Sequence, residues 1–194
     1  MPLSKNEFRQ NSLNTIKNLP KHNSFYLNAK LQKYLLKLLK QHGKTKRTKI
    51  LFYYPLNFEA DIRKLMKHLR SSCEIYLPFM EGESFKMVPF RLPLKKKKFD
   101  IFEAGNTYRK IKKIDIAIVP AVGVDGNLQR VGFGKGMYDR FFATLQERPI
   151  IIFTQPKLCY TQESLCDVHD IDCNFLVTPA GLVTNRAKVK KIGN

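Results

Sequence analysis

The sequence predicts an α/β fold in three layers, with a mostly parallel sheet flanked by helices on both faces. Two apolar runs, 50–54 and 114–119, have the length of buried strands, and a proline directly follows each run. Amphipathic helical patterns separate the predicted strands. This alternation indicates parallel pairing, because a parallel connection needs a crossover segment. The 194 residues suit one domain, expected over residues 1–194.

The N-terminal part of the chain is predicted to be helical. Ser4 and Glu7 form a capping-box pattern, so a first helix is expected to run to about Asn18. Apolar residues recur at helical spacing over 24–42, lysines fill the other face, and Gly43 fits the helix end. We interpret this basic face as a solvated surface rather than a nucleic-acid footprint.

Shorter elements are predicted in alternation after the first buried strand. Helices are expected over 58–70 and 136–146, and the lysine run 95–98 is expected to be a loop or an exposed edge. Apart from the run 50–54, the predicted strands cover residues 74–77, 84–90, 114–119, 149–153 and 174–177. No internal repeat, low-complexity segment or linker interrupts this pattern.

The charge balance is the unusual feature of the composition. Lys and Arg number 35 against 16 Asp and Glu, which gives a formal net charge of +19. The first fifty residues contain a single acid, Glu7. Such a balance fits nucleic acid, an anionic membrane surface or small polyanionic substrates, and it also fits a merely basic proteome. Charge alone leaves these alternatives open.

Several classes of protein are disfavoured by the sequence. No apolar run approaches the ~20 residues of a membrane span, and the N-terminus has no apolar signal core, which predicts a cytoplasmic protein. None of the four cysteines forms a C-x-x-C pair. We interpret the cysteines as reduced core thiols, although His169 lies among the last three and leaves a metal interpretation open.

The segment 119–140 carries the strongest chemical signal. It runs from a buried strand through a turn into a glycine-rich loop and then a helix. Alternating glycines let a backbone approach a ligand, and the N–H groups of such a loop attract anions. Basic side chains add fixed positive charge, so the segment predicts a phosphate-binding loop, with a simple flexible turn as the alternative. The residues concerned are Gly132, Gly134, Gly136, Arg130, Lys135 and Arg140.

This loop matches neither a Walker A motif nor the dinucleotide fingerprint. It does resemble the signature of the 5-formyltetrahydrofolate cyclo-ligase family. The matching residues are Val119-Pro120, Asp125 and the run Arg130-Val131-Gly132-Phe133-Gly134-Lys135-Gly136-Met137-Tyr138-Asp139. The resemblance continues in the pair Lys5 and Arg9, in 54–61, in Leu77-Pro78 and in 170–178. Three features depart from the family pattern: Ala104 replaces a common proline, Met137 replaces a tyrosine, and the helix after Asp61 lacks the family's usual threonine.

The resemblance implies an ATP- and Mg²⁺-dependent ligase. Members of the family convert 5-formyltetrahydrofolate to 5,10-methenyltetrahydrofolate and release ADP and phosphate. The formyl oxygen takes the γ-phosphoryl group of ATP and so becomes a good leaving group, after which N10 of the folate closes the ring. Phosphoryl transfer depends mainly on positioning and on charge stabilisation, which basic side chains and backbone N–H groups supply.

The resemblance also implies roles for individual residues. Arg130, Lys135 and Tyr138 are the expected catalytic residues. The ATP-binding positions are Lys5, Arg9, Arg130, Gly132, Gly134, Lys135, Gly136 and Tyr138. The folate-binding positions are Leu56, Glu59, Asp61, Phe133, Met137 and Tyr138. Asp139 is the first candidate ligand for Mg²⁺, and Asp172 is the second, since both offer hard oxygen donors.

The expected partners are ATP and 5-formyltetrahydrofolate, with or without a polyglutamate tail, in a monomeric enzyme. Neither a membrane nor a specific nucleic acid is expected. Two other interpretations stay open on the sequence. One is a diverged protein of the same fold that keeps a nucleotide or phosphosugar site, and the other is a basic nucleic-acid-binding protein.

Overall fold

The computed structural model describes residues 2–20, 24–43, 47–96, 102–107, 111 and 113–185. Four helices lie in these ranges: α1 (Lys5–Lys17), α2 (Ser24–His42), α3 (Arg63–Leu69) and α4 (Met137–Ala143). The strands in the same ranges are β1 (Lys49–Leu51), β2 (Glu74–Glu81), β3 (Ser84–Pro89), β4 (Lys95–Lys96), β5 (Phe102–Glu103), β6 (Ile116–Pro120), β7 (Gly123–Val124), β8 (Arg130–Val131), β9 (Ile150–Thr154), β10 (Phe175–Thr178) and β11 (Gly181–Thr184).

Seven strands form one mixed sheet in the order β11-β10-β9-β6-β1-β2-β3. The five central strands are parallel, and an antiparallel strand lies at each edge. The predicted α/β class with a mostly parallel sheet is therefore confirmed. The pairs β4–β5 and β7–β8 form two small separate ribbons.

Two apolar cores lie on opposite faces of this sheet. Successive residues of the buried β6 alternate between them: Ile116 and Ile118 belong to one core, and Ala117 and Val119 to the other. The first core contains the apolar residues of α2 and α3, whereas the second contains Phe141 of α4. Helices thus cover both faces of the sheet, as the three-layer prediction requires.

Local sequence signals explain the two long helices. The Ser4 side chain accepts a hydrogen bond from the backbone N–H of Glu7 at 3.2 Å, which caps α1. In α2 the buried side chains are Leu31, Leu35, Leu38 and Leu39, at the spacing of one helix face. Both helices end within about a residue of their predicted bounds. None of the helices in the described ranges combines the length and apolar character that crossing a bilayer requires.

Three predicted bounds are wrong between residues 50 and 81. The first strand ends at Leu51 rather than 54, and α3 begins at Arg63 rather than 58. The residues between them form a turn. The backbone N–H of Glu59 donates to the Leu56 carbonyl oxygen, and the Glu59 carboxylate accepts a hydrogen bond from the Leu56 backbone N–H. The strand predicted over 74–77 extends to Glu81, because its second half pairs with β3 in a hairpin.

The four cysteines form no disulfide bond. All four are free thiols, and Cys159 and Cys173 are buried, as expected for reduced core residues.

The lysine run 95–98 was expected to be a loop or an exposed edge. Its first two residues, Lys95 and Lys96, form the exposed strand β4, whereas residues 97 and 98 lie outside the described residues.

The order of the strands places a crevice at one edge of the sheet. From β1 the chain goes to β2 on one side, and β6, which follows later, lies on the other side of β1. Crossovers in opposite directions put α3 and α4 on opposite faces of the sheet. Such a reversal opens a crevice at the carboxyl ends of the strands, here β1 and β6.

Candidate active site

A small cleft opens at this crevice, at the carboxyl ends of the central strands. Pro120 and Thr154, the last residues of β6 and β9, lie in its wall, and the turn after β1 forms another side. Its lining is mostly apolar, with one carboxyl group. The lining residues are Ile16, Phe58, Glu59, Ala60, Pro120, Ala121, Val122, Phe133, Thr154 and Pro156.

The glycine loop, residues 132–136, borders this cleft and connects β8 to α4. Gly134 and Gly136 have φ angles of 86° and 57°, in the left-handed region that favours glycine. Gly132 is required for a different reason. A Cβ atom at this position would lie 2.3 Å from a terminal nitrogen of the buried Arg130 side chain. The alternating glycines therefore satisfy two backbone conformations and one close contact.

Two arginines hold carbonyl groups of the glycine loop. The Arg9 Nε donates to the Gly132 carbonyl oxygen at 2.8 Å, which connects α1 to the loop. Arg140, one turn into α4, donates to the carbonyl oxygens of both Lys135 and Glu83. Arg9 and the loop are therefore close together, as expected. The side chain of Lys135 is exposed at the loop's surface.

Arg130 is a buried cation at the centre of the site. Its side chain is 6% exposed, its Nε donates to the Pro120 carbonyl oxygen at 2.8 Å, and its guanidinium carbon lies 4.7 Å from the centre of the Tyr138 ring. Burial lowers the pKa of Arg130, and neighbouring acidic groups oppose that effect. Besides Tyr138, these acidic groups are Asp139, Glu59 and Asp170.

Lys5 reaches the site from the first turn of α1. Its ammonium group forms ion pairs with Asp170, whose side chain is largely buried, and with Asp167 at 3.4 Å. Burial opposes the charge on Lys5, but the hydrogen bond and charge of Asp170 outweigh it and raise the pKa of the lysine. Asp170 also hydrogen-bonds the backbone N–H of Asp167 at 2.7 Å, so Lys5 is fixed in position.

Glu59 is the acid that lines the cleft. Its carboxylate accepts a hydrogen bond from the backbone N–H of Leu56 at 2.8 Å. Burial raises the pKa of Glu59 from 4.5 to about 7, although this hydrogen bond and the charge of Arg130 act in the opposite direction. A carboxyl group in this range exchanges protons near neutral pH, as acid–base catalysis requires.

Asp61, the other acid expected on the folate side, is already paired. Its carboxylate accepts from the Arg63 Nε at 2.9 Å and from a terminal nitrogen at 2.6 Å, and it also accepts from the Arg63 backbone N–H. These bonds lower the pKa of Asp61 against the opposing effect of burial. Leu56, at the start of the same turn, is half-buried. Of the two acids, Glu59 is the one that lines the cleft.

Aromatic side chains connect the two sides of the cleft. Phe133 of the glycine loop is 40% exposed and meets Phe58 edge to face, with ring centres 5.5 Å apart. Tyr138 contacts Phe85 edge to face at 5.1 Å, and burial raises its pKa. Met137 packs against the second core, where a shape-adaptable side chain suits an irregular gap.

The two candidate Mg²⁺ ligands lie in different surroundings. One oxygen of Asp139 accepts from the Ile171 backbone N–H at 3.1 Å, and Asp139 lies close enough to Arg130 to affect its pKa. Asp172 forms an ion pair with Arg148 at 2.6 Å. Asp139 suits a cation that binds one carboxylate together with phosphates and water. The charge of Asp172 is already compensated.

One further group of metal-compatible side chains occurs among the residues that the structure describes. It consists of Asp167, His169 and Asp170, and it contains no cysteine. Lys5 already supplies the positive charge at this group. The earlier interpretation that placed His169 with the cysteines is therefore not supported by this grouping.

Comparison with known proteins identifies the family of this chain. Residues 3–179 match the 5-formyltetrahydrofolate cyclo-ligase family. The chain belongs to that family. Among curated proteins, none matches the chain.

Two solved structures resemble this cyclo-ligase over nearly its whole length. The NMR structure of Aquifex aeolicus 5,10-methenyltetrahydrofolate synthetase is 25% identical, covers 94% of this chain and 93% of its own, and gives a TM-score of 0.79. The 5,10-methenyltetrahydrofolate synthetase from Mycoplasma pneumoniae is 21% identical, covers 91% of this chain and 99% of its own, and gives a TM-score of 0.70. The second likeness is one of fold.

The cyclo-ligase structure gathers most of the residues that the family pattern selected. Direct contacts connect Arg9, Arg130 and Tyr138 to the glycine loop or to one another. Glu59 and Phe133 line the same cleft. Asp172 forms an ion pair with Arg148, and Asp61 forms one with Arg63.

Other residues of this cyclo-ligase site were missed by sequence reasoning. Asp170 pairs with Lys5 across 165 residues of chain, and no local spacing reveals such a pair. Tyr53 was predicted only as part of the strand 50–54, and Thr154 lay just beyond the strand predicted over 149–153, although it lines the cleft. Phe58, which also lines it, had a detectable signal as an aromatic residue next to Glu59 in the family-like segment 54–61.

Proposed function

We propose that this cyclo-ligase uses ATP and Mg²⁺ to convert 5-formyltetrahydrofolate to 5,10-methenyltetrahydrofolate, with release of ADP and phosphate. The observation that carries the proposal is the meeting of two features at one cleft in a member of this family. One is the glycine loop with its arginines, and the other is Glu59, whose pKa is raised to about 7.

The glycine loop is proposed to bind the phosphates of ATP. Backbone N–H groups of such a loop, together with the exposed Lys135, suit phosphate oxygens. Arg9 borders the loop from α1, Lys5 lies one turn earlier on the same helix beside Asp170, and both cations suit the same nucleotide. During transfer, an O–P bond forms between the formyl oxygen and the γ-phosphorus while the bond to ADP breaks. Arg130 and Lys135 stabilise the charge that develops on the phosphoryl group.

Glu59 is proposed to serve the second step. N10 of the folate attacks the formyl carbon, the bond from that carbon to the phosphorylated oxygen breaks, and phosphate leaves. N10 must then lose a proton, and the Glu59 carboxylate accepts it. The raised pKa of Glu59, near 7, matches this task. Phe133, Phe58 and Met137 supply apolar surface for the pterin ring, and Leu56 and Asp61 border it.

Asp139 is proposed to hold Mg²⁺ together with phosphate oxygens and water. The ion supplies neutralisation of phosphate charge when it is bound. The fit rests on Asp139, because one of its oxygens accepts an N–H bond and the carboxylate lies near Arg130 at the glycine loop. Asp172 remains a second candidate, and its ion pair with Arg148 makes it the weaker one.

The net charge of +19 suits the proposed substrates, since both ATP and folate are anionic. A positive field raises the rate of encounter with such ligands and weakens as salt is added. A folate with a polyglutamate tail would benefit most. We place the reaction in the cytoplasm and assign it to a monomer.

Absorbance of methenyltetrahydrofolate tests the proposal directly. The protein is mixed with 5-formyltetrahydrofolate, ATP and Mg²⁺, and ATP is omitted in a parallel sample. Lys135→Ala is expected to lose roughly a hundredfold in kcat/KM, because one well-aimed donor contributes about 3 kcal/mol in a closed site. Lys37→Ala is the matched control, since Lys37 is an exposed lysine of α2 on the predicted solvated face.

The outcomes separate the proposal from its alternatives. Product that requires ATP and falls only in Lys135→Ala supports the cyclo-ligase reaction. Binding of ATP by a folded protein that makes no product contradicts it and favours a diverged nucleotide-binding protein. Salt-sensitive binding to any polynucleotide, without binding of ATP, favours the nucleic-acid interpretation.

A further inference from the structure

Two buried hydroxyl groups lie directly behind the turn that carries Glu59. Tyr53 follows β1 and is 3% exposed, and Thr154 ends β9 and is 1% exposed. The Tyr53 hydroxyl lies 2.8 Å from the Ala60 carbonyl oxygen and 3.0 Å from the Thr154 Oγ1. One hydroxyl therefore connects the end of β9 to the residue next to Glu59.

The direction of these hydrogen bonds follows from the groups involved. A carbonyl oxygen only accepts, so Tyr53 donates its single proton to Ala60. Tyr53 must then accept the proton of Thr154. The Thr154 hydroxyl therefore donates mainly to Tyr53. Its other possible acceptor, the Val119 carbonyl oxygen, lies farther away, at 3.5 Å. The chain from Thr154 through Tyr53 to Ala60 has one consistent arrangement.

Packing does not explain the presence of these hydroxyl groups. Phenylalanine and valine would fill nearly the same space, and they would avoid the cost of burying a polar group. Burial also raises the pKa of Tyr53 well above its ordinary value, so the hydroxyl stays protonated and remains a donor. What the hydroxyls supply is a fixed position for the turn.

We propose that Tyr53 and Thr154 are positioning residues that fix the Glu59 turn over the cleft. They act through the Ala60 carbonyl group, while Leu56 binds the Glu59 carboxylate from the other end of the turn. This inference rests on the proposed role of Glu59 in ring closure. Without the hydroxyl link, the turn loosens and water reaches the carboxyl group.

The proposal concerns how Glu59 titrates, so its charged surroundings matter. Arg130 lies on the glycine-loop side and lowers the pKa of Glu59. Tyr138 on α4 and Tyr53 behind the turn are both neutral near pH 7, because burial raises their pKa values. Asp61 of the same turn is paired with Arg63. None of these groups is expected to change charge between pH 5 and 8, so a titration in that range belongs to Glu59.

Tyr53→Phe tests the proposal in the enzyme without substrates. The Glu59 carboxyl signal is followed by ¹³C NMR against pH and assigned with Glu59→Gln. In Tyr53→Phe its pKa is expected to fall from about 7 by roughly one unit, toward the ordinary value of 4.5. The acid side of the kcat profile should move by the same amount, kcat should fall roughly tenfold, and the KM for ATP should stay constant.

Three further variants keep the test decisive. Tyr76→Phe removes another buried hydroxyl, which bonds Glu74 at 2.6 Å at the start of β2, and it should leave the Glu59 titration unchanged. Thr154→Val should repeat the effect of Tyr53→Phe, whereas Thr154→Ser should restore wild-type behaviour. This pair decides the matter even if Tyr53→Phe does not fold.

An unchanged Glu59 titration in Tyr53→Phe and in Thr154→Val overturns the proposal. So does an equal shift in Tyr76→Phe, because that result would indicate a general loss of stability. If the wild-type protein makes no methenyl product, the proposed function fails, yet the NMR titration still tests the positioning role by itself.

Discussion

The two sides of the cleft are built in different ways. On the side proposed to bind phosphate, the glycine loop 132–136 is a backbone structure whose shape depends on the absence of side chains. On the side proposed to bind folate, the turn 56–61 places one carboxyl group in an apolar surrounding, which raises its pKa to about 7. The loop is proposed to bind charged groups of the substrate through its backbone, whereas the proposed acid–base role of Glu59 depends on the pKa that burial raises. Substitutions in the two regions should therefore fail differently.

The largest effect is expected on the folate side. Glu59→Gln keeps the size of the side chain and removes its acid–base capacity. We expect kcat to fall by roughly 10³-fold, within the range usual for a lost general base, with little change in the KM for ATP. Single-turnover absorbance measurements of methenyltetrahydrofolate check this expectation. Asp61→Asn is the matched control, because that acid is paired with Arg63, and an equal loss in both variants would contradict the role given to Glu59.

Glu59→Gln should also be more stable than the wild type at neutral pH, although it is less active. The folded-state pKa of Glu59 lies above the ordinary 4.5, so the folded protein binds this proton more tightly than the unfolded chain does. Its contribution to the free energy of unfolding therefore falls as the pH rises from 4.5 to about 7. Glu59→Gln should be more stable than the wild type above pH 7, by at most about 3 kcal/mol, and equal to it near pH 4.

Urea unfolding at pH 4, 6 and 8 checks this prediction. A difference between variant and wild type that does not change with pH would show that Glu59 titrates normally. Such a result would remove the contrast between the two sides of the cleft.

On the phosphate side, the second largest effect is expected from a single methyl group. Gly132→Ala places a Cβ atom 2.3 Å from Arg130, which cannot move easily because it is buried and bonded to the Pro120 carbonyl group. We expect kcat/KM for ATP to fall roughly hundredfold, as when one charge-stabilising donor is lost. The measurement is steady-state kinetics with varied ATP, supported by calorimetric titration with ATP.

Gly134→Ala is the matched control for that prediction. Its φ of 86° strains an alanine, at a cost of about 1–2 kcal/mol in stability, but the new Cβ would lie 3.7 Å from the nearest Arg9 atom. Activity should stay within about tenfold of the wild type, since Gly134→Ala does not displace the Arg130 guanidinium. Equal losses in both variants would indicate that loop conformation, rather than the position of Arg130, limits the reaction.

These two regions also differ in what the sequence reveals about them. Glycine spacing is a local pattern, so the glycine loop was predictable from Gly132, Gly134 and Gly136, and its binding of an anion stays a prediction. The pKa of Glu59 arises from burial among side chains brought together by folding, and no spacing encodes it. The ion pair of Lys5 with Asp170 joins residues 165 positions apart and was missed for the same reason.

The fold shows a similar division. The bounds of α2 were predictable because its apolar face continues over five turns and ends at a breaker. The end of β1 was not predictable, because the apolar run continues to Tyr54 while its ladder with β2 and β6 ends. An apolar run indicates which residues are buried, as Tyr53 is, but the run does not indicate where the pairing between strands stops.

A smaller effect is expected at the proposed Mg²⁺ ligand. Asp139→Asn should raise the Mg²⁺ concentration for half-maximal activity by roughly tenfold, because the ion loses its one protein carboxylate and keeps the phosphates. Asp172→Asn should change it less than about twofold, since Arg148 already compensates that charge. Kinetics at fixed ATP with varied Mg²⁺ compare the two variants. A larger effect at Asp172 would reverse the assignment.

The smallest effect is expected at the contact between α1 and the glycine loop. Arg9→Lys keeps the positive charge for ATP but loses the Nε donor that binds the Gly132 carbonyl oxygen at 2.8 Å. We expect the KM for ATP to rise about three- to tenfold, which corresponds to one hydrogen bond of about 1 kcal/mol, while kcat changes little. Arg9→Met removes the charge as well and should raise the KM further. If the two variants behave alike, the hydrogen bond to the loop matters and the charge of Arg9 does not, so Arg9 shapes the glycine loop without binding the nucleotide.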